Sequence, residues 1–198
     1  MTDAAGRPGG IHLALEGRVA LVTGGVRGVG AGISAVFAEQ GATVITCARR
    51  PVENLPYEFH SCDVRDDAAV KFLVDAVVAT PGRLDAVVNN PGGPPYVPAA
   101  DASAKFSTKI IELNLLGPLS VSQHANAVMQ NQPAGGSIIN ISSVSGGRPT
   151  PGTAAYGAAK AGLDNLTATL AVEWAPKVRV NSVVVGMVET EQSEMFYG

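Results

Sequence analysis

The sequence predicts an α/β fold built on a doubly wound parallel sheet, and three observations carry that expectation. Six short runs rich in Val, Ile and other apolar residues alternate with longer stretches of helical period. Several of these runs are continuously apolar, as strands buried on both faces of a parallel sheet are, instead of alternating with polar residues. A glycine-rich stretch closes the first run and opens the first helix. Right-handed crossovers and the pattern of the first half give an expected strand order of 3-2-1-4-5-6, with helices covering both faces.

Each element follows in turn. Residues 1–16 mix Gly, Pro and small polar residues and read as a flexible tail; order begins with "RVALVT" (18–23), an apolar, β-branched strand. "GVGAGISAVFAEQG" (28–41) places Ile33, Val36 and Phe37 at helical spacing and stops at Gly41, a suitable C-terminal cap. "ATVITCA" (42–48) is the second strand, "YEFHSCD" (57–63) the third, "DDAAVKFLVDAVVAT" (66–80) a helix and "LDAVVNN" (84–90) the fourth strand. The Pro- and Gly-rich stretch 89–103 reads as a long loop, and 103–131 as a long helix. "GSIINIS" (136–142), a helix over 153–175 and "VRVNSVVV" (178–185) complete the alternation.

The bulk numbers narrow the partners. With 198 residues, 46% of them hydrophobic and 16% charged, the chain can bury one sizeable core, and its length favours one domain. A net charge of −3 and a pI near 5.6 give no electrostatic support for a nucleic-acid or anionic-membrane partner, which leaves a small molecule. The opening residues lack an apolar run of signal-peptide length, and no stretch reaches the roughly 18 apolar residues of a membrane span, so the expected location is cytoplasmic. Cys47 and Cys62 have no metal-type spacing, no metal is expected, and both read as buried free thiols.

"VTGGVRGVG" (22–30) has the context of a dinucleotide turn, with a strand before it and a helix after it. Gly24 permits the sharp turn, Gly28 lets backbone approach a diphosphate, Gly30 lets helix and strand pack closely, and the helix N-terminus favours the anion. A cofactor without a 2′-phosphate calls for Asp or Glu at the end of the second strand, whereas this strand ends in Ala48, Arg49 and Arg50. Guanidinium groups match phosphate geometry, so Arg49, with Arg27 in the glycine loop, points to NADP(H) over NAD(H). The plainer alternatives are solvated surface arginines and NAD(H).

In "TAAYGAAKAGL" (153–163), Tyr156 and Lys160 stand one helical turn apart and leave the same face. A tyrosine is a poor proton shuttle near neutral pH unless a cation stabilises its phenolate, and Lys160 can supply that cation. Thirteen residues before Tyr156, "SIINISSVSGG" (137–147) ends a strand in hydroxyls at the carboxyl edge of the sheet, where doubly wound folds place ligands. Ser143 could there donate to a substrate carbonyl while Tyr156 gives a proton and a nicotinamide gives hydride. Ser142 and Ser145 read as turn-formers bonding the local backbone.

These residues together resemble the short-chain dehydrogenase/reductase family over nearly everything from about residue 17 onward: "TGGVRGVG" looks like its T-G-x-x-x-G-x-G, "NNPG" like its N-N-A-G and "YGAAK" like its Y-x-x-x-K, in the family's order. The resemblance implies a Rossmann-like fold in which residues 17–198 are the dinucleotide-binding catalytic domain. It implies Asn114 as the helix asparagine holding a proton-relay water, Ser143 as the carbonyl-orienting serine, Tyr156 as the acid/base and Lys160 as the residue that lowers its pKa and binds the nicotinamide ribose. Gly24, Arg27, Gly28, Val29 and Gly30 would form the cofactor loop, Asp63 and Val64 the adenine pocket, Asn89 the cofactor-proximal strand end, and Val188 and Thr190 in "GMVET" (186–190) the carboxamide contacts.

The implied activity is NADP(H)-dependent interconversion of a ketone, such as a 3-oxoacyl thioester, and a secondary alcohol. A hydroxysteroid or sugar alcohol dehydrogenase and a non-catalytic NADP-binding sensor or scaffold are the alternatives. For Asn114 alone, a helix asparagine bonding its own backbone is the competing reading, and Pro118 suggests a local kink. Pro91 departs from the family's usual alanine and Val185 from the proline before Gly186. Members commonly run longer, so the chain is expected to lack the usual C-terminal strand. Ala154, Ala158, Ala161 and Gly162 suit either close intramolecular packing or a homodimer or homotetramer contact.

Overall fold

The computed structural model describes residues 14–93 and 95–191. The six apolar runs form β1 (Val19–Thr23), β2 (Thr43–Ala48), β3 (Glu58–Ser61), β4 (Ala86–Asn89), β5 (Gly136–Ser143) and β6 (Val178–Val185). They pair in parallel throughout, in the order β3-β2-β1-β4-β5-β6, as predicted. All five residues of β1 are buried, as its central position requires. The tail expected over 1–16 lies mostly outside the described residues; Leu15, within them, donates its N–H to the Gln40 carbonyl (3.0 Å).

The helices are α1 (Gly28–Glu39), α2 (Asp67–Ala79), α3 (Ala104–Ile111), α4 (Gly117–Met129) and α5 (Ala154–Trp174). Local chemistry sets their ends. The Asp66 carboxylate accepts from the N–H groups of Ala68 and Ala69 at the start of α2, and the Ser103 hydroxyl accepts from Phe106 N–H at the start of α3. The long helix expected over 103–131 is interrupted by a π-turn over Glu112–Leu116, in which Gly117 N–H reaches back five residues to the Glu112 carbonyl. Pro118 has no N–H to offer the Asn114 carbonyl four residues before it, so a regular ladder could not run through this point.

The sheet separates two apolar layers. Leu21, Ile45, Val87 and Ile138 face α2, α4 and the C-terminal half of α5, where Leu73, Val77, Val121, Met129 and Leu170 complete the larger core. Val22, Val44, Val88 and Ile141 face the other way, against Ile33 and Phe37 of α1. The helical cover expected on both faces is therefore uneven: among the described residues α1 alone packs on this second face, and Val183 of β6 is 49% exposed. On α5, Gly162 packs against Leu115, while Ala154, Ala158 and Ala161 stay exposed.

A buried polar network crosses the larger layer. Asn89 Nδ2 donates to Asn140 Oδ1 (2.9 Å) and to Ser122 Oγ (2.9 Å), and Asn140 Nδ2 donates to Thr167 Oγ1 (2.8 Å). It ties β4 and β5 to α4 and α5 directly beneath the carboxyl ends of the strands. Asn140→Ala should cost about 2–3 kcal/mol, because it strands polar groups that have no access to water. Urea unfolding reads that loss; a variant within about 0.5 kcal/mol of the parent would show that the network is dispensable.

Candidate active site

The carboxyl ends of β1, β2, β4 and β5 open into one cleft of about 860 Å³, within the size range of small-molecule and cofactor sites. Its floor is built at the end of β1. Thr23 Oγ1 donates to the Val88 carbonyl (3.3 Å) and accepts from Asn90 N–H (3.0 Å), which locks β1 to the exit of β4. Gly24 follows with φ of +62°, and a Cβ there would lie 2.5 Å from the Asn90 carbonyl oxygen. Gly30 is buried against the Gly24 carbonyl, where a side chain would collide with backbone. Gly24, Arg27, Gly28 and Val29 line the cleft; Gly30 supports it from beneath.

Arg49 and Arg50 line the far end of the cleft beyond β2, and no salt bridge occupies Arg27, Arg49 or Arg50 among the described residues. Asp63 and Val64 line the same end. The Asp63 carboxylate is engaged by Arg65, whose Nε donates to Oδ1 (2.9 Å), and this guanidinium holds the carboxyl below its usual pKa. Cys47 and Cys62 are both free, buried and at the edge of the cleft. The neighbouring Cys62 thiol, together with burial, pushes the Cys47 thiol up.

At the opposite end, Tyr156 and Lys160 project from α5 toward the end of β5. Lys160 is only 3% exposed; its Nζ donates to the Ile141 carbonyl (2.8 Å) and lies 5.5 Å from the Tyr156 ring centroid. Burial lowers its pKa to about 8, opposed by the charge of Asp164 one turn along the helix. At neutral pH Lys160 thus remains mainly a cation. Asp164 is held in turn by the Ser182 hydroxyl (2.6 Å).

Ser143 ends β5 in the same cleft, and its hydroxyl oxygen accepts from Ser145 N–H (3.2 Å), which leaves the O–H proton free to donate. Here the structure corrects the turn-forming role expected of Ser142. Strand alternation buries Ser142 toward α5, where its hydroxyl donates to the Lys160 carbonyl (3.5 Å), and Ser143 receives the local turn bond instead.

Two predicted residues stand behind the cleft. Asn89 is fully buried in the polar network. Asn114 sits in the middle of the π-turn and is fully buried, with Nδ2 donating to the Ile110 carbonyl (3.0 Å). Its Oδ1 is buried without a hydrogen-bond donor and lies against Gly92. Val188 and Thr190 line the cleft from the segment after β6, and Thr190 overhangs Gly28. Sequence reasoning missed Thr23 and Asn90, although both abut the glycine motif and the "NNPG" run. It also missed Glu191, whose carboxylate accepts from Gly28 N–H at 2.7 Å; no local signal marks a contact across 163 residues.

Residues 18–196 match the family model of the short chain dehydrogenases. The chain is 35% identical over 192 residues to the 3-oxoacyl-(acyl-carrier-protein) reductase FabG of Thermotoga maritima, covering 91% of this chain and 78% of that protein. It is 38% identical over 184 residues to the L-fucose dehydrogenase of Bos taurus, covering 88% of this chain and 67% of that protein. The ligand-free aldohexose dehydrogenase of Thermoplasma acidophilum superposes with a TM-score of 0.88 at 30% identity, over 91% of this chain and 71% of its own. The chain belongs to the short chain dehydrogenase family, oxidoreductases that act on CH–OH groups with NAD(H) or NADP(H).

The cleft suits such a dinucleotide. A glycine-lined helix N-terminus lies in the middle, where a diphosphate would be met by backbone N–H. Exposed guanidinium groups that form no salt bridge among the described residues mark one end, and a buried ammonium marks the other. No described helix is long and apolar enough to cross a membrane.

Proposed function

We propose that the chain is an NADP(H)-dependent oxidoreductase that interconverts a ketone and a secondary alcohol. The observation that carries this reading is the buried Lys160 ammonium 5.5 Å from the Tyr156 ring, in one cleft with the Ser143 hydroxyl. A bound nicotinamide supplies hydride to the carbonyl carbon, or accepts it from the alcohol. In the reductive direction Ser143 O–H donates to the carbonyl oxygen and polarises it, and Tyr156 O–H gives that oxygen its proton. Lys160 stabilises the phenolate left behind and binds the nicotinamide ribose, and Asn114 links the site to solvent through a relay water. Gly24, Gly28, Val29 and Gly30 form the diphosphate cradle, Asp63 and Val64 the adenine pocket, Asn89 the support of the β4 end, and Val188 and Thr190 the carboxamide contacts.

The cofactor preference rests on Arg27 and Arg49. Both are exposed cations on the cleft that form no salt bridge among the described residues, although the Arg49 charge reaches the Asp63 carboxylate, and no acid ends β2. Titration with NADPH and NADH should show tighter binding of NADPH, and Arg49→Asp should erode that preference by about tenfold or more. Equal affinities in the parent, or an unchanged ratio in the variant, would remove the arginine argument.

For substrate, the likeness to a 3-oxoacyl thioester reductase supports a β-keto thioester, and the likeness to fucose and aldohexose dehydrogenases supports a second reading, oxidation of a sugar hydroxyl. Turnover with acetoacetyl-coenzyme A against L-fucose and aldohexoses separates the two. Cofactor binding with no turnover on any of them, or on a wider ketone panel, would favour a sensor.

A further inference from the structure

We propose that Glu191 is a built-in competitor for the cofactor's diphosphate: its carboxylate, bound to Gly28 N–H at the start of α1, holds the anion position that the diphosphate must take. The inference rests on the reading of the glycine loop as the diphosphate cradle. It adds a determinant of cofactor affinity that lies outside that loop.

The start of α1 has little else to satisfy it. Arg27 stands at the N-cap position without a side-chain capping bond, and the first turn carries no acidic residue. The orphan N–H groups of a helix N-terminus and the positive end of its dipole draw a negative group. Glu191 supplies one from 163 residues away, with Oε1 at 2.7 Å from Gly28 N. This is a charge-assisted bond of ordinary strong geometry. Thr190, its neighbour, lies over Gly28 as well: a Cβ built on that glycine would be 3.8 Å from the Thr190 methyl group. Residues 186–191 therefore cross the glycine loop as a strap, with Val188 and Thr190 facing the cleft and the Glu191 carboxylate on the helix end.

Two anions cannot share one N–H donor and one helix terminus. The strap-bound form is closed to the diphosphate, so the measured dissociation constant is the intrinsic one divided by the fraction of molecules in which Glu191 has let go. Because Glu191 is exposed, water competes for both partners and the bond opens readily, which makes the effect one of affinity and not of blockade. Binding of the cofactor frees the strap at Glu191, so the diphosphate position is coupled to the segment that borders the other end of the cleft.

The test is a titration of the full chain and its variants with NADPH, and separately with ADP and adenosine. Glu191→Gln and Glu191→Ala should bind NADPH and ADP about fivefold more tightly than the parent, with adenosine unchanged, since only the first two carry the diphosphate. Glu189→Gln makes the same charge change two residues away without a contact to Gly28, and should leave all three affinities where they were. Without cofactor, amide exchange of residues 186–191 should be faster in Glu191→Gln than in the parent. Unchanged or weaker NADPH binding in both Glu191 variants overturns the inference, as does an equal gain in Glu189→Gln, which would reduce the effect to general charge. A parent that binds NADPH while the Glu191 variants gain nothing sinks only this inference; a parent that binds neither NADPH nor NADH sinks the cradle reading and this inference with it.

Discussion

Tyr156→Phe is expected to lower kcat for carbonyl reduction by roughly a thousandfold while leaving the NADPH dissociation constant within about twofold of the parent. The substitution deletes one oxygen and keeps the ring, so its packing beside Lys160 and its place on α5 are retained. On the proposed mechanism, what disappears is the O–H that would give the developing alkoxide its proton. Ser143 would still polarise the carbonyl, which would account for residual activity. The split between kcat and cofactor affinity matters, because a purely structural defect would move both. Unchanged turnover on a verified substrate would take Tyr156 out of the acid/base role.

Lys160 should set a limit on the alkaline side. Its pKa near 8 comes from burial, which disfavours the ammonium, partly offset by Asp164. Activity that depends on the ammonium beside Tyr156 should decline as pH rises through about 8, and Lys160→Met should lose roughly a hundredfold or more in kcat at pH 7. Stability runs the other way. An unfolded Lys holds its proton up to the ordinary value of 10.5, so between about 8 and 10.5 the unfolded chain binds more protons than the folded one, and this group adds stability as pH increases. Below pH 8 both states are protonated and the burial cost of the cation is borne in full. Lys160→Met removes that cost together with the bond to the Ile141 carbonyl, so its thermal midpoint at pH 7 should stay close to that of the parent. A pH–rate profile flat from pH 7 to 10, or a Lys160→Met enzyme of normal rate, contradicts the assignment.

The parts of this molecule that could be read from the chain are those whose cause is local. β1 and β2 are largely apolar, β-branched runs, and the turn after β1 needs glycines for reasons contained within a few residues. Tyr156 and Lys160 share a helix face by spacing alone. What escaped depends on register between distant segments. Cys47 and Cys62 become neighbours only because β2 and β3 pair with Cys47 opposite His60. Ser142 and Ser143 divide their tasks by which face of β5 each meets, a parity that an apolar run does not reveal when both faces are buried. Pro118 marks a kink in the 103–131 helix but not its form as a π-turn over Glu112–Leu116, and the Arg65–Asp63 pair depends on a loop conformation after β3.

The π-turn has a consequence for how this enzyme can vary. One extra residue is folded into the helical path there, so α3 and α4 are out of phase by the turn that a single residue makes, about 100°. The orientation of Asn114 toward Gly92 is thus a matter of chain length between two helices more than of the residues that fill it. Substitutions along this stretch can accumulate while the asparagine keeps its direction. Loss of one residue between Glu112 and Leu116 would straighten the path and swing Asn114 away with every residue in place but one. Lineages carrying this site are therefore expected to tolerate rewriting of the segment and to reject its shortening.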